Sequence, residues 1–543
     1  MAWVRQVRTT SGATAVQIVE SVGGRRRIVR HVGSAHDEAS LGLLMSQARG
    51  LLDDHGQGML DLGITCPVPK AKLLGPPVSP SLFPVEAKTG RPMVAPARVI
   101  KTTSALLYEV VGGVYDDLGF DQISDEVFKD LVVAQVVEPT SLLDVDRVLA
   151  ELGRVSASLS TRNRTLTRAM SGAYRSQIAR ACFNHASTRG DISLVLYDVT
   201  SLRTQAAKED DYRKVGFSKD RSIDPQIIVG LLVDREGFPL EIASFEGNMA
   251  EKNTITDVVD RFKARHGIEH LVVAADAGML SARNLKALDD AGYQFIVGSR
   301  ATKAPIDLES HFAWHGEFVT DGQIVDTVTP KIGMNTDNDP ALAGEPIWDA
   351  KVFPKSWRAV WQYSAKRFAH DHHMLDLQQA RVQAVINGDQ VAHKPRFLKI
   401  VGGKPSLDQT ALTRARKVCG LKGYVSNIDA TVMPAGEVIA HYHDLWHVEQ
   451  SFRITKSDLA ARPFHARTRE AIEAHLTIVF AALAVSRTIQ KRTGMSIRRI
   501  LRTTRPLRCA TIAINGAIQT IPPALNNDQQ ALIHALKSNT PGH

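Results

Sequence analysis

Residues 190–300 constrain the fold of this chain more than any other segment. Leu194-Val195-Leu196-Tyr197 is a short apolar run ending at Asp198. Ile227–Val233 is a second run, Asp234-Arg235-Glu236-Gly237 reads as a turn, and Pro239–Phe245 returns as a third strand. Asn253–His266 has helical spacing in Ile255, Val258, Val259 and Phe262. His270–Ala275 is an apolar strand ending at Asp276, Ala282–Ala291 is helical, and Tyr293–Gly298 is a strand again. The predicted order is β-β-β-α-β-α-β. It calls for an α/β fold, a mixed sheet with flanking helices.

Each aspartate stands where an apolar strand ends. Catalytic groups commonly occupy the carboxyl ends of strands in such sheets. Asp is also an ordinary residue for ending a strand and starting a turn. Neither aspartate, taken singly, decides between these readings.

A third carboxylate lies in a helical pattern running from His441 to Arg492. With Tyr442–Lys456 taken as one helix and Tyr442 at 0°, Glu449 falls at about −20° and Lys456 at about −40°. Arg453 falls at about +20° and Trp446 at about +40° by the same rotation. Leu445, Val448, Phe452 and Leu459 form a separate apolar stripe able to dock on a core. The polar stripe thus holds one carboxylate, two cations, a phenol and an indole. A solvated face with a Glu449–Arg453 pair would have the same charges but no use for the two aromatics.

Tyr442-x2-Leu445-x3-Glu449-x6-Lys456 resembles the Y-x2-R-x3-E-x6-K signature of DDE transposases from bacterial insertion sequences. The β-β-β-α-β-α-β order resembles their RNase H-like core. The intervals are 276 − 198 = 78 and 449 − 276 = 173 residues. The longer one resembles the branch whose core is split by a β-rich insertion ahead of the glutamate helix. Tyr363-Ser364-Ala365-Lys366-Arg367 and Arg462-Pro463-Phe464-His465 also resemble family features. One position departs: Leu445 stands where the family has Arg, on the apolar stripe. Arg453 lies on the face where it could substitute.

The resemblance implies a transposase that binds element ends, cuts DNA and transfers strands. Asp198, Asp276 and Glu449 are then the catalytic and metal-holding carboxylates. Two Mg²⁺ ions are implied, with Mn²⁺ able to substitute; Asp198 would bridge both ions, with Asp276 on one and Glu449 on the other. Hard carboxylate oxygens suit such ions, and paired ions stabilise the attacking and leaving oxygens of phosphoryl transfer. Tyr442, Lys456, Arg453 and Trp446 are the implied DNA contacts. The partners are double-stranded DNA, as element ends and target, and a second copy of the chain as a homodimer on DNA. The alternatives are an RNase H-like endonuclease without strand transfer and a catalytically inactive DNA-binding relative.

Seven segments follow. Residues 1–65 form a small β/α region, with a hairpin of Ala15–Glu20 and the basic Arg25–Arg30 about Gly23-Gly24 as a candidate DNA contact, and a helix near 38–52. Residues 66–98 hold eight prolines and read as a linker. Residues 99–188 are a helical region for DNA binding or dimerisation. Residues 189–300 are the first part of the core, 301–425 the β-containing insertion, 426–485 the second part with the glutamate helix, and 486–543 a basic helical tail. Within the insertion, Ile324–Val328 and Leu421–Ser426 read as strands and Asp376–Asn387 as a helix.

Composition adds bounds. A chain of 543 residues implies roughly three or four domains. The balance 66 − 57 = +9 is compatible with a polyanion. No run approaches the ~20 unbroken apolar residues of a membrane helix, and the N-terminus lacks an apolar signal core, so a cytoplasmic protein associated with the bacterial nucleoid when bound, with no membrane partner, is expected. The four cysteines form no CxxC pair, which disfavours a disulfide framework or zinc knuckle. No Walker A, GxGxxG or GxSxG pattern occurs, so no nucleotide cofactor is expected. His370-Asp371-His372-His373 reads as solvated loop, because adjacent side chains diverge, and His443 and His447 read as helix surface.

Overall fold

The computed structural model describes most of residues 2–35, a few residues between 41 and 48, and residues 98–538 with short gaps, the longest being 332–345. The chain divides into two compact units, Met1–Arg91 and Pro92–His543.

In the first unit, β1 (Ala2–Arg8), β2 (Thr14–Val22) and β3 (Arg25–Ala35) form an antiparallel meander. Val22 pairs with Arg25, so the two expected strands form a hairpin, with register shifts at Val16/Gln17 and Ile18/Val19. Val16 and Ile18 are buried, while Arg27, Ile28, Val29 and Arg30 are exposed. Of the helix expected near 38–52, the described residues Leu41, Leu44, Met45 and Ala48 are helical, and nearly all of the linker 66–98 lies outside the described residues.

The second unit opens with a strand that sequence reading missed, β4 (Arg98–Thr103). Helices α1 (Ala105–Asp117), α2 (Glu126–Val137), α3 (Val145–Glu151), α4 (Leu159–Ser171) and α5 (Tyr174–Ser187) follow. Then come β5 (Leu194–Arg203), β6 (Gln226–Val233), β7 (Pro239–Glu246), α6 (Ile255–His266), β8 (Val272–Ala275), α7 (Ala282–Asp290) and β9 (Gln294–Ser299), in the predicted order.

The segment 301–425 does not stand apart from this sheet. Its strands β10 (Ile324–Pro330) and β11 (Ser356–Tyr363) widen it, giving the order β10-β11-β14-β9-β8-β5-β6-β7 with β14 (Leu421–Ser426). The reason is burial. Trp357, Arg358 and Trp361 of β11 are all within the core, a pattern that fits a central strand covered on both faces. Between β11 and β14 stands a lobe of α8 (Ala365–Ile386), β12 (Leu398–Val401), β13 (Lys404–Leu407) and a helix at Gln409–Lys417. Leu375, Val382, Phe397, Leu412 and Cys419 form its own small core. Helix α8 begins at Ala365 rather than Asp376, because Ser364 caps it by accepting from Arg367 N at 3.4 Å. His370-Asp371-His372-His373 is therefore helix, not loop.

Beyond the core come α9 (Ala435–His443), α10 (Trp446–Arg453), α11 (Arg469–Thr493) and α12 (Ile497–Thr504). Helix α11 is long and apolar enough to cross a membrane by length and composition, yet it is mostly buried within the protein. It packs on α1, α2, α4 and β7. The tail is not all helical. After α12 run β15 (Cys509–Ile514) and β16 (Ala517–Ile521), then α13 (Asn527–Lys537). β15 pairs antiparallel with β4, tying the two ends of this unit together. Its Ala and Thr residues hide the alternation that would have marked a strand.

Candidate active site

The site begins with two neighbouring parallel strands. Tyr197 of β5 is level with Ala275 of β8, so Asp198 and Asp276 come next on adjacent strands. Asp198 does not sit past its strand: β5 runs on to Arg203 against β6, with Asp198 opposite Leu231. It lies where the β8 neighbour ends and β6 still holds the backbone. Tyr197 points to the other face and donates to Thr254 Oγ1 at 2.9 Å. Period-two alternation therefore gives Asp198 and Thr200 one face. Asp198 Oδ1 accepts from Val199 N at 2.7 Å.

The helix expected over Tyr442–Lys456 is broken into three pieces. Helix α9 ends at His443, α10 starts at Trp446, and Ile454–Asp458 winds as a π-turn. At the break, i+3 bonds from Leu445 N to Tyr442 O (3.2 Å) and from His447 N to Asp444 O (2.9 Å) tighten the turn. Asp444 there accepts from Arg235 Nε at 2.9 Å. Leu445, Val448 and Phe452 are buried, as the apolar stripe predicted.

Despite the break, all seven predicted residues line one cleft of about 750 Å³: Asp198, Asp276, Tyr442, Trp446, Glu449, Arg453 and Lys456. Glu449 and Arg453 are exposed to it, and Trp446 is 53% exposed. Lys456 Nζ donates to Thr200 Oγ1. Tyr442 is buried, and its hydroxyl donates to Asp276 Oδ1 at 2.8 Å. Its ring lies over Gly298 of β9: a Cβ there would come within 2.5 Å of the hydroxyl. The phenol expected to contact DNA thus lines the cleft with its hydroxyl on a carboxylate.

Sequence reasoning missed Lys422. It extends from β14 into the cleft, with its ammonium 4.6 Å from the Tyr442 ring centre and 5.6 Å from that of Tyr424. Burial, with the nearby Arg367 guanidinium, lowers its pKa, while Asp276 and Glu449 oppose that shift. Nothing local in the sequence marks a lysine in an alternating strand as a site residue. His443, read as helix surface, also lines the cleft and lies 3.3 Å from the Tyr424 hydroxyl.

No three His, Cys, Asp or Glu side chains among the described residues close into a metal cage. The three carboxylates line an open cleft instead. An oxygen-only donor set of this kind fits a hard cation that keeps water and substrate phosphate in its shell.

The basic tail is less available than its sequence promised. Arg487 is largely buried and donates to Gln450 Oε1 at 2.7 Å and to Glu236 O. Lys491 pairs with Glu236, Arg492 with Asp117, Arg498 with Asp458, and Arg505 with Glu138 and Glu151. These acidic partners come from segments far away in sequence. The Arg462–His465 stretch lies outside the described residues.

Comparison with known proteins gives a family. The family model described as transposase DDE domain matches residues 189–485. No curated protein matches the chain. Among solved structures, it is similar to a piggyBac transposase synaptic complex with hairpin DNA, determined by cryo-EM. The identity is 11%, over 74% of this chain and 69% of that one, with a TM-score of 0.34.

Proposed function

Because the chain belongs to the transposases with a DDE domain, and so has an RNase H-like core and acts on DNA, we propose that its cleft binds element ends and cuts and rejoins their strands through Asp198, Asp276 and Glu449. The observation that carries the reading is the convergence of these three carboxylates, from β5, the end of β8 and α10, on one cleft that also holds Lys422, Arg453 and Lys456.

Each group has a task suited to its chemistry. The carboxylates would hold divalent cations, Mg²⁺ by preference, which supply Lewis-acid stabilisation to the attacking and leaving oxygens. Asp276 is oriented by the hydrogen bond from Tyr442. Lys422, Lys456 and Arg453 place positive charge where phosphate oxygens enter, and Lys422 supplies a cation from the sheet where Leu445 supplies none. Trp446 offers an exposed indole for a nucleotide to stack on. Two element ends must be handled together, so the assembly on double-stranded DNA is a homodimer. The protein works in the bacterial cytoplasm, associated with the nucleoid when bound.

The test uses the full chain, a labelled duplex carrying the DNA that flanks the coding region, and a supercoiled target plasmid with Mg²⁺. Cleavage and joined product are expected from the unsubstituted chain. Asp198→Asn, Asp276→Asn and Glu449→Gln should each reduce both by at least about a hundredfold while duplex binding persists. Undiminished cleavage by any of the three removes that residue from the mechanism. Cleavage without joined product leaves an endonuclease.

A further inference from the structure

Helix α8 has an unusual charge distribution. The helix itself has three Lys and Arg and two Asp, 3 − 2 = +1, and the segment from Ala365 to Lys417 that it opens has ten and four, 10 − 4 = +6. With Lys366 at 0°, His370 falls at about 40°, His373 at about −20°, Leu377 at about 20° and Arg381 at about 60°. Met374 and Arg367 follow at about 80° and 100°. All seven are exposed. Both carboxylates of the helix lie off this face, at about 140° for Asp371 and −80° for Asp376. They are held within the lobe: Asp371 accepts from Gly420 N at 3.2 Å, and Asp376 pairs with Arg416 at 2.6 Å. The buried side, Leu375 and Val382, is opposite. A face of about four turns therefore carries three cations, two histidines, Met374 and Leu377, and no carboxylate.

We propose that this face of α8 is a docking surface for the phosphate backbone of duplex DNA, and that it carries the flanking DNA away from the cleft. The proposal rests on the transposase reading of the cleft. The two are continuous. Gln362 of β11 is the register partner of Lys422, the cleft lysine, and α8 starts three residues after Gln362. From Lys366 to Arg381 the helix rises roughly 22 Å, enough to follow several successive phosphates. Met374 and Leu377, about two-fifths exposed between the cations, offer apolar contact with sugars or groove walls. His370 and His373 thus serve as donors on a polyanion-facing helix, while His372 turns into the lobe beside Asp376.

The experiment compares the full chain with Lys366→Gln/Arg381→Gln and with Lys366→Arg/Arg381→Lys. Duplex affinity is read by fluorescence anisotropy across a salt series, and cleavage at saturating DNA is read alongside. The Gln pair should weaken binding and flatten the plot of log K against log salt by about 1.8, two phosphate contacts' worth. The charge-retaining pair should keep the slope, and cleavage at saturation should stay within about twofold. An unchanged slope in the Gln pair, with the unsubstituted chain binding and cutting normally, overturns the role of α8 alone. If the unsubstituted chain neither binds nor cuts duplex DNA, the cleft reading falls and this proposal falls with it.

Discussion

At the scale of single residues, the site depends on a glycine, a tyrosine and an aspartate in series. Gly298 leaves the room that the Tyr442 ring occupies, and Tyr442 holds one oxygen of Asp276. Tyr442→Phe removes that hydrogen bond and keeps the ring. A partner that orients a metal-holding carboxylate is worth roughly ten- to a hundredfold in metal affinity or rate. The expected result is a shift of the Mg²⁺ requirement for cleavage to higher concentration, with duplex affinity unchanged. If Tyr442 instead binds a phosphate, the same variant will weaken DNA binding and leave the metal titration in place. Gly298→Ala should reproduce the metal shift, since the added methyl displaces the ring. Glu449 was legible in sequence because Lys456 and Arg453 recur with it at helical spacing. The part played by Tyr442 was not, because the helix breaks at Asp444–Leu445 and the phenol turns to the sheet. Lys422 was hidden for a different reason: a strand's cleft-facing lysine has no local signature.

At the scale of elements, the core helix α11 is fixed to the sheet through a partly buried carboxylate. Glu473 accepts from the Arg175 guanidinium at 2.5 Å and from the hydroxyls of Tyr212 and Ser244 at 2.7 Å each. Burial pushes its carboxyl up. The Arg175 charge and the hydroxyl and guanidinium hydrogen bonds outweigh that and hold it below the usual carboxylate range. A group lowered in the folded state stabilises fully above its unfolded pKa, near 4.3, and that stabilisation disappears as pH falls through the folded value. Glu473→Gln should therefore cost about 2 kcal/mol at neutral pH, because Arg175 loses its carboxylate partner and keeps only the Thr477 hydroxyl and the Glu473 carbonyl. It should also make the fall in stability below about pH 5 shallower than in the unsubstituted chain. Urea unfolding at pH 7 and pH 4 reads both; a constant difference between the two proteins across that range refutes the linkage. The alternation of β5 to β9 was legible because long apolar runs alternate with clear helical spacing. The span of α8 and the strands β15 and β16 were not. The first mixes polar and apolar residues on a half-exposed helix, and the second are strands of six and five residues in which Ala and Gln interrupt the strand-favouring Ile and Thr.

At the scale of the whole molecule, the second unit is closed by its own ends. β15 lies beside β4, Lys537 pairs with Glu109, and Leu536 O accepts from Arg492 Nη1 at 2.9 Å. Arg492 is buried, and this carbonyl and the Asp117 carboxylate are among its partners. A tail read as an exposed basic helix would be dispensable for folding. A tail that pairs with the first strand of the unit is not. Removal of residues 508–543 takes away β15, β16 and α13, bares one edge of β4, and leaves Arg492 short of a carbonyl in the core. The lost apolar cover of Leu532, Ile533 and Leu536, ~1.5–3 kcal/mol for each side chain, and the lost carbonyl of Arg492 together are comparable with the ~5–15 kcal/mol by which a domain is usually stable. The truncated chain should therefore be insoluble or lack a cooperative thermal transition. Removal of Met1–Arg91, a compact unit of its own, should leave the melting of the remainder within a few degrees. Differential scanning calorimetry of the two truncations distinguishes these outcomes. A tail-less chain that melts like the full one would return residues 508–543 to the role of a DNA-contacting appendage.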